Sequence, residues 1–122
     1  ADLVRTGVGS EHSAAEAVRE LLGSAEPPTA LFTAQNLITI GAIGALRTAG
    51  ADRTVALVGF DDIPMAEHLV LPVTVVAQDP SAIGGTAAER VFARLDGDVS
   101  EPAEVVVPTR LIARGSGEIR GD

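Results

Sequence analysis

The fold class is decided by the stretch Val55-Ala56-Leu57-Val58-Gly59-Phe60-Asp61-Asp62. Residues 55–59 form a short apolar run that does not alternate with polar residues. Such a run is typical of a strand that is covered on both faces, as in a parallel sheet. We therefore interpret residues 55–59 as a buried strand and residues 60–64 as the loop that leaves its carboxyl end.

Two similar runs lie on either side of this strand and are separated from it by helical patterns. Residues 29–33 and 73–76 are predicted to be strands of the same buried type. Apolar residues recur at helical spacing and predict helices over residues 37–49 and 81–96. A glycine that ends the helix follows each of them, at Gly50 and Gly97.

The starts of the predicted helices carry capping signals. Ser13 and Glu16 have the spacing of a capping box, which predicts a first helix of about ten residues that ends at Gly23. Asn36 and Asp79 are predicted to be the N-caps of the two later helices.

The other segments give weaker signals. Residues 65–69 are predicted to form one or two helical turns, residues 105–107 and 111–113 are predicted to be strands, and the tail from Gly115 is expected to be loose. Alternating strands and helices predict an α/β fold, with a parallel sheet flanked by helices and right-handed crossovers.

The composition describes one acidic domain. The chain has 122 residues, the length of a single modest domain, and its mean hydropathy of +0.28 excludes intrinsic disorder. The net charge of −8 disfavours a nucleic-acid surface within these residues, because phosphates are repelled. The absence of cysteine excludes disulfides and thiolate metal sites, and only two histidines disfavour a zinc site. No segment resembles a membrane span or a signal peptide, and we expect a cytoplasmic protein without membrane association.

Polar side chains follow each of the three predicted strands. Open α/β sheets bind ligands beyond the carboxyl ends of their strands, and amides and carboxylates match a ligand rich in hydroxyl groups. The pattern therefore predicts a small-molecule site, without a catalytic residue. The pairs that follow the strands are Gln35-Asn36, Asp61-Asp62 and Gln78-Asp79.

Several of these residues have alternative structural roles. Asn36 and Asp79 are expected to cap helices, and Asp62 is expected to form loop hydrogen bonds or an interdomain pair, whereas Asp61 is expected to contact the ligand. Asp61 and Asp62 together could bind Mg²⁺, although no other carboxylates cluster near them in the sequence.

Five segments, in this order and spacing, resemble the C-terminal part of a lactose-repressor-type (LacI/GalR) transcriptional regulator. The most specific of them is the Val58-Gly59-Phe60-Asp61-Asp62 block, which is followed by a strand that begins after Pro72 and ends before Gln78. The five segments are residues 28–36, 41–50, 55–62, 72–79 and 108–116.

The resemblance implies a partial type I lobe of the periplasmic-binding-protein kind, one of two lobes around a cleft that holds a sugar or related metabolite. It places Gln35, Asp61 and Gln78 at positions that contact the effector. Phe60, the aromatic residue at a strand end, is the further candidate for that site. No cofactor and no metal are implied.

The resemblance also implies a homodimer whose interface includes the helix over residues 37–49 and the segment 64–71. The candidate interface residues are Ile40, Met65, Leu69 and Val70. An apolar segment of this kind needs a covering surface.

Residues 1–122 are expected to be a fragment of the effector-binding core, mainly its C-terminal lobe, without a DNA-binding head. In the family, residues 80–107 cross to the other lobe, and operator DNA is bound only through the head. The apolar face of helix 81–96 is then expected to lack its partner.

Two other functions remain open on the sequence. A sugar-binding protein that serves a transporter shares the two-lobe fold, and a small α/β enzyme would use Asp61 and Asp62 with Mg²⁺. We expect a ligand-sensing regulator rather than an enzyme.

Overall fold

The computed structural model of the chain describes residues 3–120. Within these residues, three α-helices and four strands follow one another, with two short 3-10 turns at Ala66–His68 and Ser116–Glu118. In chain order the elements are α1 (Glu11–Leu22), β1 (Ala30–Thr33), α2 (Asn36–Ala49), β2 (Ala56–Phe60), β3 (Thr74–Ala77), α3 (Pro80–Leu95) and β4 (Arg110–Ile112).

The four strands form one sheet in the order β1-β2-β3-β4. β1 pairs with β2 in parallel, with Thr33 opposite Gly59, and β2 pairs with β3 in parallel, with Phe60 opposite Val76. The α/β class and the parallel pairing of the three predicted strands are therefore confirmed. The prediction that β1 is covered on both faces is wrong, since Phe32 is 62% exposed.

The core lies between the sheet and the first two helices. Val18 of α1, Leu46 of α2 and Val75 of β3 belong to one buried cluster. α2 approaches α1 closely at Gly41, where an added Cβ would collide with the Glu11 carbonyl oxygen. Small residues in α2 thus allow two helices to pack closely over the sheet.

The first two helices begin earlier than predicted, α1 by three residues and α2 by one. α1 is capped by Ser10, whose hydroxyl accepts from the Ser13 N–H at 3.1 Å, so Ser13 is the third helical residue rather than the cap. Gln35 occupies the N-cap position of α2, and Asn36 is already helical. In both cases an earlier residue has the extended backbone that a cap requires.

The C-terminal segments also differ from the prediction. Residues 105–107 form no strand, and the residues of this stretch are mostly exposed. The tail after Gly115 is anchored rather than loose, because Ser116 is buried and its hydroxyl donates to the Leu57 carbonyl at 2.6 Å. The Ser116 Oγ also accepts from the Thr74 N–H at 2.8 Å, so the tail is bonded to two strands.

The chain divides into two compact units. The first comprises residues 1–77 and 111–122, and the second comprises residues 78–110, which include most of α3 and the segment that follows it. Within residues 3–120, no helix combines the length and the apolar character that crossing a bilayer requires.

Candidate functional site

The carboxyl ends of the strands lie level at one edge of the sheet. The register sets the end of β1 beside Gly59 and the end of β2 beside Val76. Gln35 and Asp61 each follow one of these adjacent parallel strands within two residues. Two of the predicted ligand residues are therefore brought to the same edge of the first unit.

The backbone of Gln35 is held by a hydrogen-bonded pair of buried threonines, Thr33 and Thr39. Its carbonyl oxygen accepts from the Thr39 N–H at 2.9 Å and from the Thr39 hydroxyl at 3.0 Å. The Thr39 and Thr33 hydroxyl oxygens lie 2.7 Å apart in a buried hydrogen bond. The Gln35 side chain does not cap α2, although its residue occupies the cap position. The backbone there is fixed without a cap hydrogen bond from the Gln35 amide.

Gly59 makes room for this threonine pair. A Cβ on Gly59 would lie 2.7 Å from the Thr39 hydroxyl oxygen and 2.9 Å from its methyl carbon. Only a residue without a side chain allows that close approach. The glycine of the Val58-Gly59-Phe60-Asp61-Asp62 block therefore has a packing reason. The two threonines support the candidate site, and sequence reasoning did not identify them.

Asp61 has an unusual backbone conformation at the end of β2. Its φ of +69° lies in the left-handed region, and its N–H donates to the Val76 carbonyl at 3.0 Å. A non-glycine residue in this region is uncommon and is concentrated at turns and functional sites. The conformation turns the chain away from the sheet directly after Phe60, the half-buried last residue of β2.

Gln78 is half-buried and directly follows β3. It is the first residue of the second unit. The prediction that Gln78 shares a ligand with Gln35 and Asp61 stays a prediction.

Asp62 has a structural partner that the sequence did not identify. Its two carboxylate oxygens accept from the Arg114 guanidinium, with Nη1–Oδ1 at 2.6 Å and Nη2–Oδ2 at 2.8 Å. The hydrogen bond from Asp62 raises the pKa of Arg114 above its ordinary value. The expected loop role of Asp62 is confirmed, since Oδ1 also accepts from the Ile63 N–H at 2.9 Å.

The Arg114 pairing also bears on the magnesium alternative. Both oxygens of Asp62 are engaged by a cation of the chain itself. Among residues 3–120, no group of three or more histidine and carboxylate side chains is placed to hold a metal ion.

Asp79 is the N-cap of α3, as predicted. Its Oδ1 accepts from the Ala82 N–H at 2.9 Å. This bond satisfies one of the free N–H groups of the first helical turn.

The four candidate interface residues have different environments. Met65 and Val70 are strongly exposed, and Met65 has a φ of +61°. Ile40 is half-buried in α2, and Leu69 is half-buried against the core. Leu69 and Val70 line one wall of a mainly apolar groove beside α2. Two of the four therefore present large apolar surface to solvent in this chain.

Comparison with known proteins places the fold in a family. Residues 2–117 match the family described as the periplasmic binding protein-like domain. The chain is 37% identical to the HTH-type transcriptional regulator CelR of Thermobifida fusca, over 94% of this chain and 34% of that protein.

Solved structures give the same relation. A transcriptional regulator CelR–cellobiose complex matches 91% of this chain and 35% of that chain, with a TM-score of 0.81 and 36% identity. A LacI family regulator from Enterococcus faecium with bound ribose matches 91% of this chain and 41% of that chain, with a TM-score of 0.78 and 26% identity.

The match is to part of each relative. The chain spans 34% of the length of CelR and 32% of the length of the regulator PtxS of Pseudomonas aeruginosa. The fold, the residues matched and the identities agree with the resemblance drawn from the five sequence segments. The chain therefore belongs to the periplasmic binding protein-like domain family, and its resemblance to lactose-repressor-type regulators is confirmed.

Proposed function

We propose that this chain is the ligand-sensing part of a lactose-repressor-type transcriptional regulator and that its effector is a sugar. The observation that carries the proposal is the match to CelR, together with the similarity to a CelR–cellobiose complex over 91% of this chain. The comparisons favour a regulator over a transport protein or a magnesium-dependent enzyme, because the relatives matched are regulators of transcription.

The sugar binds beyond the carboxyl ends of β1, β2 and β3 in this proposal. Gln35 offers an amide that both donates and accepts, and Asp61 offers a carboxylate that accepts from two directions. Both lie at the edge where parallel sheets bind ligands. Gln78 is assigned to the same ligand and Phe60 to its apolar face.

The site performs no covalent chemistry. Effector binding shifts an equilibrium between two arrangements of the lobes, by as much as its affinity for the two arrangements differs. Residues 80–107 are assigned to the connection with the other lobe, and the separate compact unit over residues 78–110 supports that assignment. Operator DNA is bound by a head outside these residues, in the cytoplasm.

The regulator is proposed to act as a homodimer through α2 and the segment 64–71. The exposed side chains of Met65 and Val70 support this surface, because large apolar groups in solvent favour a covering partner.

Asp61→Ala tests the proposal. In the regulator that carries this chain with its DNA-binding head, the variant should abolish release of the operator by effector and leave DNA affinity near normal. Cellobiose and ribose are the first ligands for a thermal-shift screen, and a specific ligand should stabilise the unmodified protein by about 2.7 kcal/mol at a hundredfold excess over Kd.

Glu26→Ala is the matched control, since Glu26 is exposed and lies before β1, at the amino end of the sheet. It should leave the effector response intact. An unchanged response in Asp61→Ala would contradict the assigned role.

A further inference from the structure

The loop after β2 places an ion pair directly beside a residue with a left-handed backbone conformation. Asp62 forms a bidentate ion pair with Arg114, which is 52 residues away in sequence. Asp61, the preceding residue, has the left-handed backbone conformation. We propose that the Arg114–Asp62 ion pair positions Asp61 for its ligand by holding the loop after β2. The inference rests on the proposed function, in which Asp61 binds the effector.

Arg114 is itself held in place. Its backbone N–H donates to the Thr74 hydroxyl at 3.0 Å, and its Nη1 donates to the Val73 carbonyl at 3.3 Å. Its side chain is only 14% exposed. These bonds hold Arg114 next to β3. The guanidinium therefore loses little conformational freedom when it binds Asp62.

The residues that follow Arg114 reinforce this position. Glu118 Oε2 accepts from the Thr74 hydroxyl at 3.1 Å and from the Gly115 N–H at 3.0 Å. Gly117 N–H donates to the Thr74 hydroxyl at 3.2 Å, and a Cβ at Gly117 would lie 2.9 Å from a Val58 methyl carbon. These bonds fix the C-terminal tail on the sheet. The Arg114 side chain therefore extends from a fixed backbone to the loop after β2.

The loop is held on both sides of Asp61. Before it, β2 pairs with β3 up to Phe60. After it, Asp62 bonds to Arg114 and to the Ile63 N–H, and the Ile63 side chain is buried. A left-handed non-glycine conformation persists only where the surrounding structure holds it. The ion pair supplies that hold on the carboxyl side.

The parallel Arg–carboxylate geometry fixes an orientation as well as a distance. The ion pair therefore holds the Asp62 side chain in one orientation relative to Arg114.

The test measures the hydrogen exchange and the three-bond HN–Hα coupling of Asp61 in the protein without a ligand. Arg114→Gln and Asp62→Asn should speed hydrogen exchange of the Asp61 N–H by at least about threefold, because the loop opens locally more often. The three-bond HN–Hα coupling of Asp61 should move away from the value for a positive φ. The amide of Val75 in the strand centre should change no more than the global stability does, and a merely structural role would change both amides alike.

If Arg114→Gln does not fold, Asp62→Asn serves as the second variant, because asparagine keeps an acceptor for the Ile63 N–H. Arg114→Lys should restore only part of the protection, since lysine keeps the charge but not the two-pronged geometry. Arg110→Met, at an exposed arginine of β4, is the matched control and should leave Asp61 unchanged.

Unchanged exchange and coupling at Asp61 in both Arg114→Gln and Asp62→Asn would overturn the positioning role. The proposed function fails separately, if Asp61→Ala retains the effector response while these backbone readouts still respond to Arg114.

Discussion

α2 and α3 both carry a row of apolar side chains, but α2 has buried residues and α3 has none. Five residues of α2 are buried: Thr39, Gly41, Ala42, Ala45 and Leu46. None of the residues of α3 is buried, and Val91, Phe92 and Leu95 are 57%, 64% and 75% exposed. The comparison teaches that periodicity identifies an apolar face but not its partner.

The glycines of the two helices show the same contrast. In α2, Gly41 lies against the backbone of α1, and an added Cβ would be 2.8 Å from the Ala14 Cβ. In α3, Gly84 and Gly85 have open space where a Cβ would be. A glycine in a packed helix therefore reports a close approach, whereas one in an unpacked helix reports nothing about tertiary structure.

The largest expected difference concerns matched leucines. Leu46→Ala removes a side chain that is 2% exposed and should lower the free energy of unfolding by about 2–5 kcal/mol, because the core keeps part of the cavity. Leu95→Ala in α3 should change it by less than about 0.5 kcal/mol, as expected for an exposed position. Chemical denaturation of both variants measures the pair. Equal losses would contradict the difference in packing.

The glycine pair gives the next effect. Gly41→Ala should destabilise the chain by about 1–3 kcal/mol, since the methyl group forces α1 and α2 apart. Gly85→Ala should be neutral or stabilise α3 by up to about 1 kcal/mol, because alanine favours a helix and meets no neighbour. Thermal unfolding followed by circular dichroism compares the two. Stabilisation by Gly41→Ala would show that the helices are not in close contact there.

The smallest effect concerns the turn after α3. Asp98 accepts from the Ser100 N–H at 2.9 Å and from its hydroxyl at 3.0 Å, and these bonds lower the pKa of Asp98 below its ordinary value. Because the folded-state pKa is depressed, the contribution to stability is present above the ordinary value and is lost as the pH falls through the folded-state pKa. An NMR titration of the Asp98 carboxyl carbon measures this.

Ser100→Ala should raise the pKa of Asp98 part of the way back, since the backbone N–H bond remains. Ser100→Thr keeps the hydroxyl and should leave the pKa lowered. A pKa at or above the ordinary value in the unmodified chain would contradict the hydrogen bonds seen after α3.

The three parallel strands and the order of elements could be predicted from the sequence because their signals are local. Residues 55–59 form an unbroken apolar run, and the structure has β2 within one residue of it. The cap of α3 at Asp79 was also predictable, since a cap bonds within its own turn. The starts of α1 and α2 could not be predicted in the same way, because two nearby polar residues compete for each cap. They are Ser10 and Ser13 for α1, and Gln35 and Asn36 for α2.

The support of the candidate site could not be predicted. Gln35 and Asp61 follow strands and could be singled out by position alone. Thr39 packs against Gly59 of another element, and Ser116 and Arg114 bond to residues more than 40 positions away in the chain. An isolated Thr, Ser or Arg carries no signal of such a partner. The tail after Gly115 was expected to be loose for the same reason, although Ser116 bonds to Leu57 from 59 residues away.

The amino-acid sequence by itself determined that the chain forms a parallel α/β sheet with polar residues at the carboxyl ends of its strands. Apolar runs, glycines and caps act within a few residues, so their effect can be seen in the order of the residues. Only the tertiary structure decided how closely α2 approaches α1 at Gly41, and that Asp62 pairs with Arg114. Those outcomes depend on contacts between distant segments, whose energies arise only when the whole chain has folded.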